Sequence, residues 1–360
     1  MMKRAIGKCW RDSASLIVLA KRNVDVVSSK DATSSNYDIL LQTRSHTASY
    51  SNGVVFPGGV SEEADASEHW LHLLGAFGFG QNDFECLHAT GALVTPLFAT
   101  NPIRRHVALR ITAIRETFEE LGLLICSTKR KEDRCGLWAD TISDIDVKYW
   151  QSRVSKDPSE LLTLCRENNC YPDIWALHYW SNWLSPYKAR VRFDTAFFVT
   201  ALQEKPLGIR ANNEVVKVEW ETPLSILEKN SRKEVQLYPP QGYEFRRLSE
   251  FSDIEKLAQF AKEISCKGYE LLYPVHLQTK DGVIHLLPGD YSYPPNVDPS
   301  DLLVLKEDNK TILELRDTSR ALHRFETSVK EVVLVTNKYI PRNHINMGDQ
   351  VLPLNVTTIH

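Results

Sequence analysis

The residues best suited to carry out chemistry lie in one short stretch, residues 115–123, which contains three glutamates. On a helix, Glu116 and Glu120 are four residues apart and share a face, and Glu119 lies beside them. Like charges at this spacing destabilise a helix, but a divalent cation offsets the cost because Mg²⁺ and Mn²⁺ prefer oxygen ligands. The stretch therefore predicts a metal-binding face, and a solvated helix face is the alternative interpretation.

The neighbouring residues predict the element that positions these glutamates. Ile114, Phe118 and Leu121 fall on the opposite stripe, so this stripe should pack inward. The pattern predicts a helix from Arg104 to Leu121. Gly122 should end it, because glycine readily adopts the left-handed conformation found after many helices.

Two segments together resemble the Nudix box, Gly-x5-Glu-x7-Arg-Glu-U-x-Glu-Glu-x-Gly-U, where U is an aliphatic residue. The first is a short strand, 54–56, followed by Pro57, Gly58 and Gly59, in which Gly59 takes the first place of the pattern. The second is the stretch that begins at Arg115. Asp65 stands where the pattern has its first Glu, and residues 66–114 stand where it has seven residues. Because Asp is shorter than Glu, nearby carboxylates remain alternatives to Asp65: Glu62, Glu63 and Glu68.

Other segments resemble one branch of this family, the acyl-CoA diphosphatases of the nucleoside diphosphate-linked moiety X motif 19 type. They are residues 40–45, 180–186, 192–198 and 286–290. The resemblance implies an α/β class, the Nudix α/β/α sandwich with a mixed sheet. It further implies a Nudix domain over residues 8–242 with an insertion at about 66–108, and a small β-rich C-terminal extension over 243–360.

The resemblance also implies hydrolysis of CoA or acyl-CoA to 3′,5′-ADP and (acyl-)4′-phosphopantetheine with Mg²⁺ or Mn²⁺ as cofactor. The predicted catalytic residues are Glu119, Glu116, Arg115 and Glu214. The predicted metal ligands are Glu116, Glu119, Glu120 and the carbonyl of Gly59. The predicted substrate-binding or cofactor-binding residues are Arg44, for the CoA 3′-phosphate, with Phe56, Gly58 and Gly59. We expect Arg115 to orient a glutamate, with phosphate contact as the alternative, and the general base is either a box glutamate or Glu214.

Two further functions stay open at this point. One is a Nudix hydrolase for another nucleoside diphosphate, such as ADP-ribose or a capped RNA end. The other is a non-catalytic Nudix-fold binding module, for which the altered residue at Asp65 leaves room. The net charge of −3 argues against a general nucleic-acid binder, so we expect a small-molecule substrate and no nucleic-acid partner. The sequence does not indicate which oligomeric state the protein adopts.

The cysteines and the apolar runs bear on location. Seven cysteines without a Cys-x-x-Cys motif predict reduced thiols in an intracellular protein, and no apolar run is long enough to span a bilayer. The family resemblance associates the protein with peroxisomes or mitochondria. The C-terminus is not a Ser-Lys-Leu address, so the cytosol is an alternative. Finally, apolar residues of the insertion are predicted to cover the acyl or pantetheine arm of the substrate: Trp70, Leu71, Leu73, Leu74, Phe77 and Phe79.

Overall fold

The computed structural model describes residues 10–22, 35–44, 53–134, 136–329 and 331–356. The strands in chain order are β1 (Arg11–Lys21), β2 (Tyr37–Arg44), β3 (Val54–Val55), β4 (Gly58–Val60), β5 (Cys126–Ser127), β6 (Tyr171–Pro172), β7 (His178–Leu184), β8 (Phe193–Leu202), β9 (Val215–Glu221), β10 (Leu271–Leu272), β11 (Val275–Thr279), β12 (Gly282–Leu286), β13 (Val304–Glu307), β14 (Leu322–Ser328), β15 (Val332–Asn337) and β16 (Gln350–Leu354).

The α-helices are α1 (His69–Ala76), α2 (Gln81–Glu85), α3 (Pro102–Leu121), α4 (Val147–Val154), α5 (Glu160–Glu167), α6 (Pro223–Ser231), α7 (Pro239–Leu248), α8 (Ile254–Ser265) and α9 (Ile312–Arg316). Short 3₁₀ helices span Glu63–Ala66, Pro96–Phe98, Lys131–Asp133 and Ile174–Ala176. Among these helices of the described ranges, none is long and apolar enough to cross a membrane.

The first large sheet is mixed and is organised around β1. Its order is β10-β7-β8-β1-β2-β3, with β4 paired to β1 and β9 paired to β2. Strand β1 is parallel to β8 and antiparallel to β2 and β4. Its residues 13–20 are all buried, which explains why an apolar run rather than an alternating pattern forms this central strand.

Helices cover both faces of this sheet. Phe197 and Phe198 are consecutive in β8, so their side chains point to opposite faces. The guanidinium of Arg110, in α3, lies 4.9 Å from the centre of the Phe198 ring. Phe197 instead contacts Phe56, whose ring packs against Phe245 of α7. Helices α3 and α7 therefore lie on opposite sides of the sheet, as the predicted α/β/α sandwich requires.

The C-terminal residues form a second sheet with the order β13-β11-β12-β14-β15-β16. The register places His276 opposite His285, His285 opposite Phe325, and Phe325 opposite Leu334. Paired residues project from the same face of a sheet, so this row marks one face. Phe325 and Leu334 join the main hydrophobic core, whereas Leu277 and Ile284 project from the other face into a separate cluster.

The predicted fold class is confirmed: a mixed α/β architecture is followed by a β-rich C-terminal sheet. The strongest predicted helix is α3, two residues longer at its start than the pattern indicated. The proposed domain boundary between residues 242 and 243 falls within helix α7, and that boundary stays a prediction.

The role proposed for the apolar residues of the insertion needs correction. Trp70 and Leu74 are buried in the main core, and Phe77 and Phe79 pack beside Tyr171. Leu71 and Leu73 are partly buried against the same core. Trp70 and Leu74 fill the protein interior because helix α1 turns this side inward, and the two phenylalanines that follow the helix are buried as well. None of them lines the cleft described below.

Candidate active site

Helix α3 carries the three box glutamates, and both of its ends are fixed. Asn101 caps the start by accepting a hydrogen bond from the Arg104 amide at 3.3 Å. Gly122 ends the helix with φ +68°, where a Cβ would come 2.9 Å from Val147. The last turn also has outside partners, because the Gln151 side chain donates to the Glu119 carbonyl at 2.9 Å. The loop before β9 extends this support, since the Asn212 amide donates to the Glu120 carbonyl at 2.8 Å.

The two halves of the split box meet through a buried ion pair. Arg115 Nε donates to Asp65 Oδ1 at 2.8 Å and Nη2 donates to Oδ2 at 2.9 Å. Thr112 adds a third hydrogen bond to Asp65, at 2.8 Å. The side chains of Arg115 and Asp65 are 2% and 1% exposed. Of the carboxylates that the sequence left as alternatives, it is therefore Asp65 that pairs with the box arginine.

Arg115 also orients two glutamates. Its Nη1 donates to Glu116 Oε1 at 2.9 Å and to Glu119 Oε1 at 2.7 Å. Its Nη2 additionally donates to the Val60 carbonyl at 2.8 Å, which ties α3 to β4. The planar guanidinium thus fixes the directions of two carboxylates and one strand. An orienting arginine needs contacts of this kind, and the orienting role of Arg115 stays a prediction.

Glu120 is held from the opposite direction. Its Oε2 accepts hydrogen bonds from Gln42 Nε2 at 2.8 Å and from the Gly58 amide at 2.9 Å. This contact of Gln42 could not be predicted from the sequence, because Gln42 lies 78 residues from Glu120 and follows no metal-ligand spacing. Strand β2 pairs with β3, and β4 pairs with β1. This strand pairing brings Gln42 and Gly58 to the same carboxylate.

The glycine pair allows α3 and β4 to approach closely. A Cβ on Gly59 would lie 2.5 Å from the carboxylate carbon of Glu116. A Cβ on Gly58 would lie 2.4 Å from the Ala14 carbonyl oxygen in β1. Both distances are shorter than atoms tolerate, so side chains at either position would displace β4 or the glutamate. The pair therefore has a steric reason to be glycine.

The clustered carboxylates carry more negative charge than Arg115 can neutralise. Burial, together with the charges of Glu120 and Glu119, raises the pKa of Glu116 to about 8 despite the attraction of Arg115. Burial also raises the pKa of Glu119, with Asp65 and Glu214 contributing. Burial alone would lower the pKa of Arg115, but its ion pair with Asp65 raises it. The cluster therefore has an excess of negative charge that a cation would stabilise.

These groups border a cleft of about 780 Å³. Its floor is the face of β1 and β8 that carries Ser13, Ser15, Thr195 and Phe197, and the Ser13 and Thr195 hydroxyls are 2.7 Å apart. The four box residues Arg115, Glu116, Glu119 and Glu120 line one side. The cleft size and the convergence of charged groups in a partly apolar lining are typical of small-molecule sites.

The cleft brings together most of the residues predicted from the sequence: Phe56, Gly58, Gly59, Arg115, Glu116, Glu119, Glu120 and Glu214. Glu214 is exposed directly before β9, and its charge contributes to the raised pKa of Glu119. Phe56 is 3% exposed and belongs mostly to the core. Arg44 ends β2, but its side chain lies outside the described residues.

The donor set fits a hard divalent cation. Glu116, Glu119 and Glu120 could supply carboxylate oxygens, and Gly59, which lines the same cleft, could supply a backbone carbonyl. Oxygen donors of this kind suit Mg²⁺ and Mn²⁺, whereas softer metals prefer nitrogen and sulfur. The uncompensated charge described above supports the same fit.

Comparisons with family models cover most of the chain. A model described as the NUDT19 Nudix domain matches residues 10–248. A second model, described as the NUDT19 C-terminal domain, matches residues 276–336. The first match contains the whole set of cleft glutamates, and the second contains most of β11, all of β12 to β14 and most of β15.

Curated relatives are similar over nearly their full length. The chain is 34% identical to the acyl-coenzyme A diphosphatase NUDT19 of Xenopus laevis, covering 94% of this chain and 96% of that protein. It is 34% identical to the Homo sapiens protein of the same name, covering 93% and 96%. A crystal structure of a NUDIX hydrolase from Alicyclobacillus acidocaldarius is similar in fold, with a TM-score of 0.50, 18% identity and coverage of 71% of this chain and 97% of that one.

Proposed function

This chain belongs to the NUDT19 family of Nudix hydrolases, and from that premise we propose that it hydrolyses the diphosphate bond of CoA and acyl-CoA. The products would be 3′,5′-ADP and 4′-phosphopantetheine or its acyl derivative. One observation carries the proposal. The Asp65–Arg115 pair closes the split box, so that three glutamates and the glycine strand border a single cleft.

Nudix hydrolases generally use divalent metal ions, and we propose Mg²⁺ or Mn²⁺ held by Glu116, Glu119, Glu120 and the Gly59 carbonyl. A cation bound there would neutralise phosphate oxygens and lower the pKa of bound water. The protein's own part is positioning: Arg115 holds Glu116 and Glu119, and Gln42 with the Gly58 amide holds Glu120. Preorganised charges of this kind stabilise the transition state without reorganisation during the reaction.

The reaction needs an acceptor for one proton. Water adds to a phosphorus atom of the diphosphate, the bridging phosphorus–oxygen bond breaks, and the proton passes to a base at the cleft. The candidates are Glu214 and the box glutamates, all of which line the cleft, and the charges of Glu119 and Glu214 interact. A positioned general base contributes about 10²–10⁴-fold to a rate.

The activity can be tested with four substrates. Purified protein is incubated with CoA, dodecanoyl-CoA, ADP-ribose and capped RNA, each with Mg²⁺, with Mn²⁺ and with a chelator, and the products are separated by chromatography. We expect 3′,5′-ADP from the first two substrates and no turnover with chelator. Turnover of ADP-ribose or capped RNA alone would contradict the proposal.

Variants connect the activity to the site. Glu119→Gln should lower kcat at least about 100-fold, because it removes a charged group that acts on the reacting diphosphate. Glu68→Gln is the matched control, since Glu68 is 72% exposed and pairs with Arg104 away from the cleft. A similar loss in Glu214→Gln, with loss of the acidic limb of the pH profile, would assign the base to Glu214. A small change there would leave a box glutamate as the base.

We infer a peroxisomal or mitochondrial location from the family resemblance. Fractionation of cells that express the tagged chain tests it, and recovery only in the cytosolic fraction would contradict it.

A further inference from the structure

The C-terminal sheet forms part of the cleft that contains the glutamates. Lining residues of this sheet include His276, His285, Phe325, Thr327 and Val332. By register they occupy one face, because His276, His285 and Phe325 are paired in a row and Thr327 is paired with Val332. The substrate cleft therefore lies between the floor formed by β1 and β8 and a wall formed by the C-terminal sheet.

An uncharged strip runs along the cleft from the glycine strand to this wall. It starts at Val55, next to Phe56 and the glycine pair. Leu237 forms parallel bridges with Val54 and with Val356, so these three residues are in register, and Val55 and Tyr238 are the next residues along their segments. Val356 follows β16 by two residues, and β16 pairs Leu354 with Val332. Each member of the strip lines the cleft: Val55, Tyr238, Val356, Val332 and Thr327.

The charge distribution decides which half of the substrate the strip suits. The nucleotide half of CoA carries an additional phosphate and needs cations, whereas an acyl chain needs apolar surface. Apart from Arg115, the cations that line the described part of the cleft are Arg11, at the start of β1, and Lys188, between β7 and β8. Neither belongs to the strip.

We propose, resting on the proposed function, that this strip binds the acyl chain of the substrate and that the C-terminal sheet sets acyl-chain preference. The strip begins beside the glutamates, so a chain that leaves the diphosphate on this side passes along Val55 and Tyr238 to Val332 and Thr327. The apolar insertion residues, once expected to do this, are engaged in the core.

A pair of matched substitutions on one sheet tests the inference. Val332 is half-buried on the cleft face. Val351, which pairs with Val335, is on the opposite face by strand alternation and is 51% exposed. Val332→Phe narrows the strip, whereas Val351→Phe adds the same ring outside the cleft.

The measured quantity is the ratio of kcat/KM for dodecanoyl-CoA to kcat/KM for CoA. We expect Val332→Phe to lower this ratio at least about 10-fold, as expected from steric exclusion of several buried methylenes. Val332→Ala should also lower it, by about 3-fold, because it removes apolar contacts. Val351→Phe should leave it unchanged, and thermal unfolding of each variant should match the wild type within a few degrees.

An unchanged ratio in Val332→Phe and Val332→Ala would overturn the inference. So would equal losses for the two substrates, because the strip would then bind a part that CoA and acyl-CoA share. If wild-type protein hydrolyses neither substrate, the proposed function fails separately. Calorimetric titration of dodecanoyl-CoA into wild type and Val332→Phe then still tests the strip, and equal affinities would overturn it.

Discussion

At the scale of single residues, the site depends on how one guanidinium is shared. Arg115 contacts Asp65, Glu116 and Glu119 at once, and its side chain is only 2% exposed. Asp65 reaches Arg115 although its side chain is shorter than that of a glutamate, because the 3₁₀ helix Glu63–Ala66 places it against Thr112 and Arg115. The aspartate therefore anchors the arginine, and the arginine in turn aims the two glutamates.

Removing this anchor should reduce both stability and activity. Asp65→Ala leaves a buried guanidinium with fewer partners, and we expect about 3 kcal/mol less stability in urea unfolding, as is typical when one member of a buried ion pair is deleted. We also expect a fall in kcat, since Arg115 loses its orientation. Glu63→Ala, in the same 3₁₀ helix but exposed, is the control and should cost less than about 0.5 kcal/mol. Equal unfolding free energies for the two variants would show that the pair has no structural role.

At the scale of elements, the close contact between β4 and α3 determines where the glutamates stand. Gly59→Ala would bring a methyl group to 2.5 Å from the Glu116 carboxylate, so Glu116 must move away. We expect kcat to fall at least about 10-fold, as a displacement of this size alters the position of a reacting group. The steady-state rate with CoA at saturating metal concentration measures it.

The same substitution elsewhere in the chain provides the control. Gly75 is inside helix α1, and a Cβ there meets nothing within 4 Å. Gly75→Ala should therefore keep full activity and raise stability by about 0.5–1 kcal/mol, because alanine is a better helix residue than glycine. If both variants had the same kcat, the contact between Gly59 and Glu116 would be irrelevant to catalysis.

How much of these elements the sequence could predict depends on the range of the interactions involved. Helix α3 and its end at Gly122 follow from local periodicity, and so do the shared face of Glu116 and Glu120 and the burial of Phe118. Gln42 and Gln151 carry no such signal, since their contacts with α3 arise from pairing between distant segments. The choice of Asp65 over Glu62 also needed the three-dimensional arrangement. The wall formed by the C-terminal sheet depends on strand register, which residue composition does not specify.

At the scale of the whole molecule, the two sheets share one hydrophobic core and are joined by polar contacts. Asn230 in α6 donates to the Asn355 carbonyl at 2.7 Å, and the Leu237 amide donates to the same carbonyl at 3.0 Å. His323 in β14 lies against α7, with its Nε2 2.8 Å from the Tyr243 hydroxyl. The proposed acyl strip crosses this junction between the two sheets. The contacts at the junction therefore matter for the shape of the cleft as well as for stability.

His323 makes the stability of this junction sensitive to low pH. Its Nδ1 is 2.6 Å from the Pro288 carbonyl, so Nδ1 must carry a hydrogen, and a neutral ring then accepts from Tyr243 through Nε2. Burial, helped by the charge of Arg247, lowers the pKa of His323 to about 3. The unfolded chain has the ordinary value of about 6.5, so it binds the proton more readily than the folded protein. The stability that His323 contributes is complete above that ordinary value and is lost as pH falls toward the folded pKa.

The expected outcome is a difference in slope between two variants. Between about pH 7 and pH 5, titration of His323 alone should cost wild-type protein about 2 kcal/mol of unfolding free energy. His323→Gln should be less stable near pH 7, because it loses the stacking on Tyr339 at 3.8 Å, but its stability should decline less steeply. The gap between the two proteins, measured by urea unfolding at several pH values, should therefore narrow toward pH 5. His72→Gln, at an exposed position, should parallel the wild type, and parallel curves for His323→Gln would remove His323 as the source of the acid sensitivity.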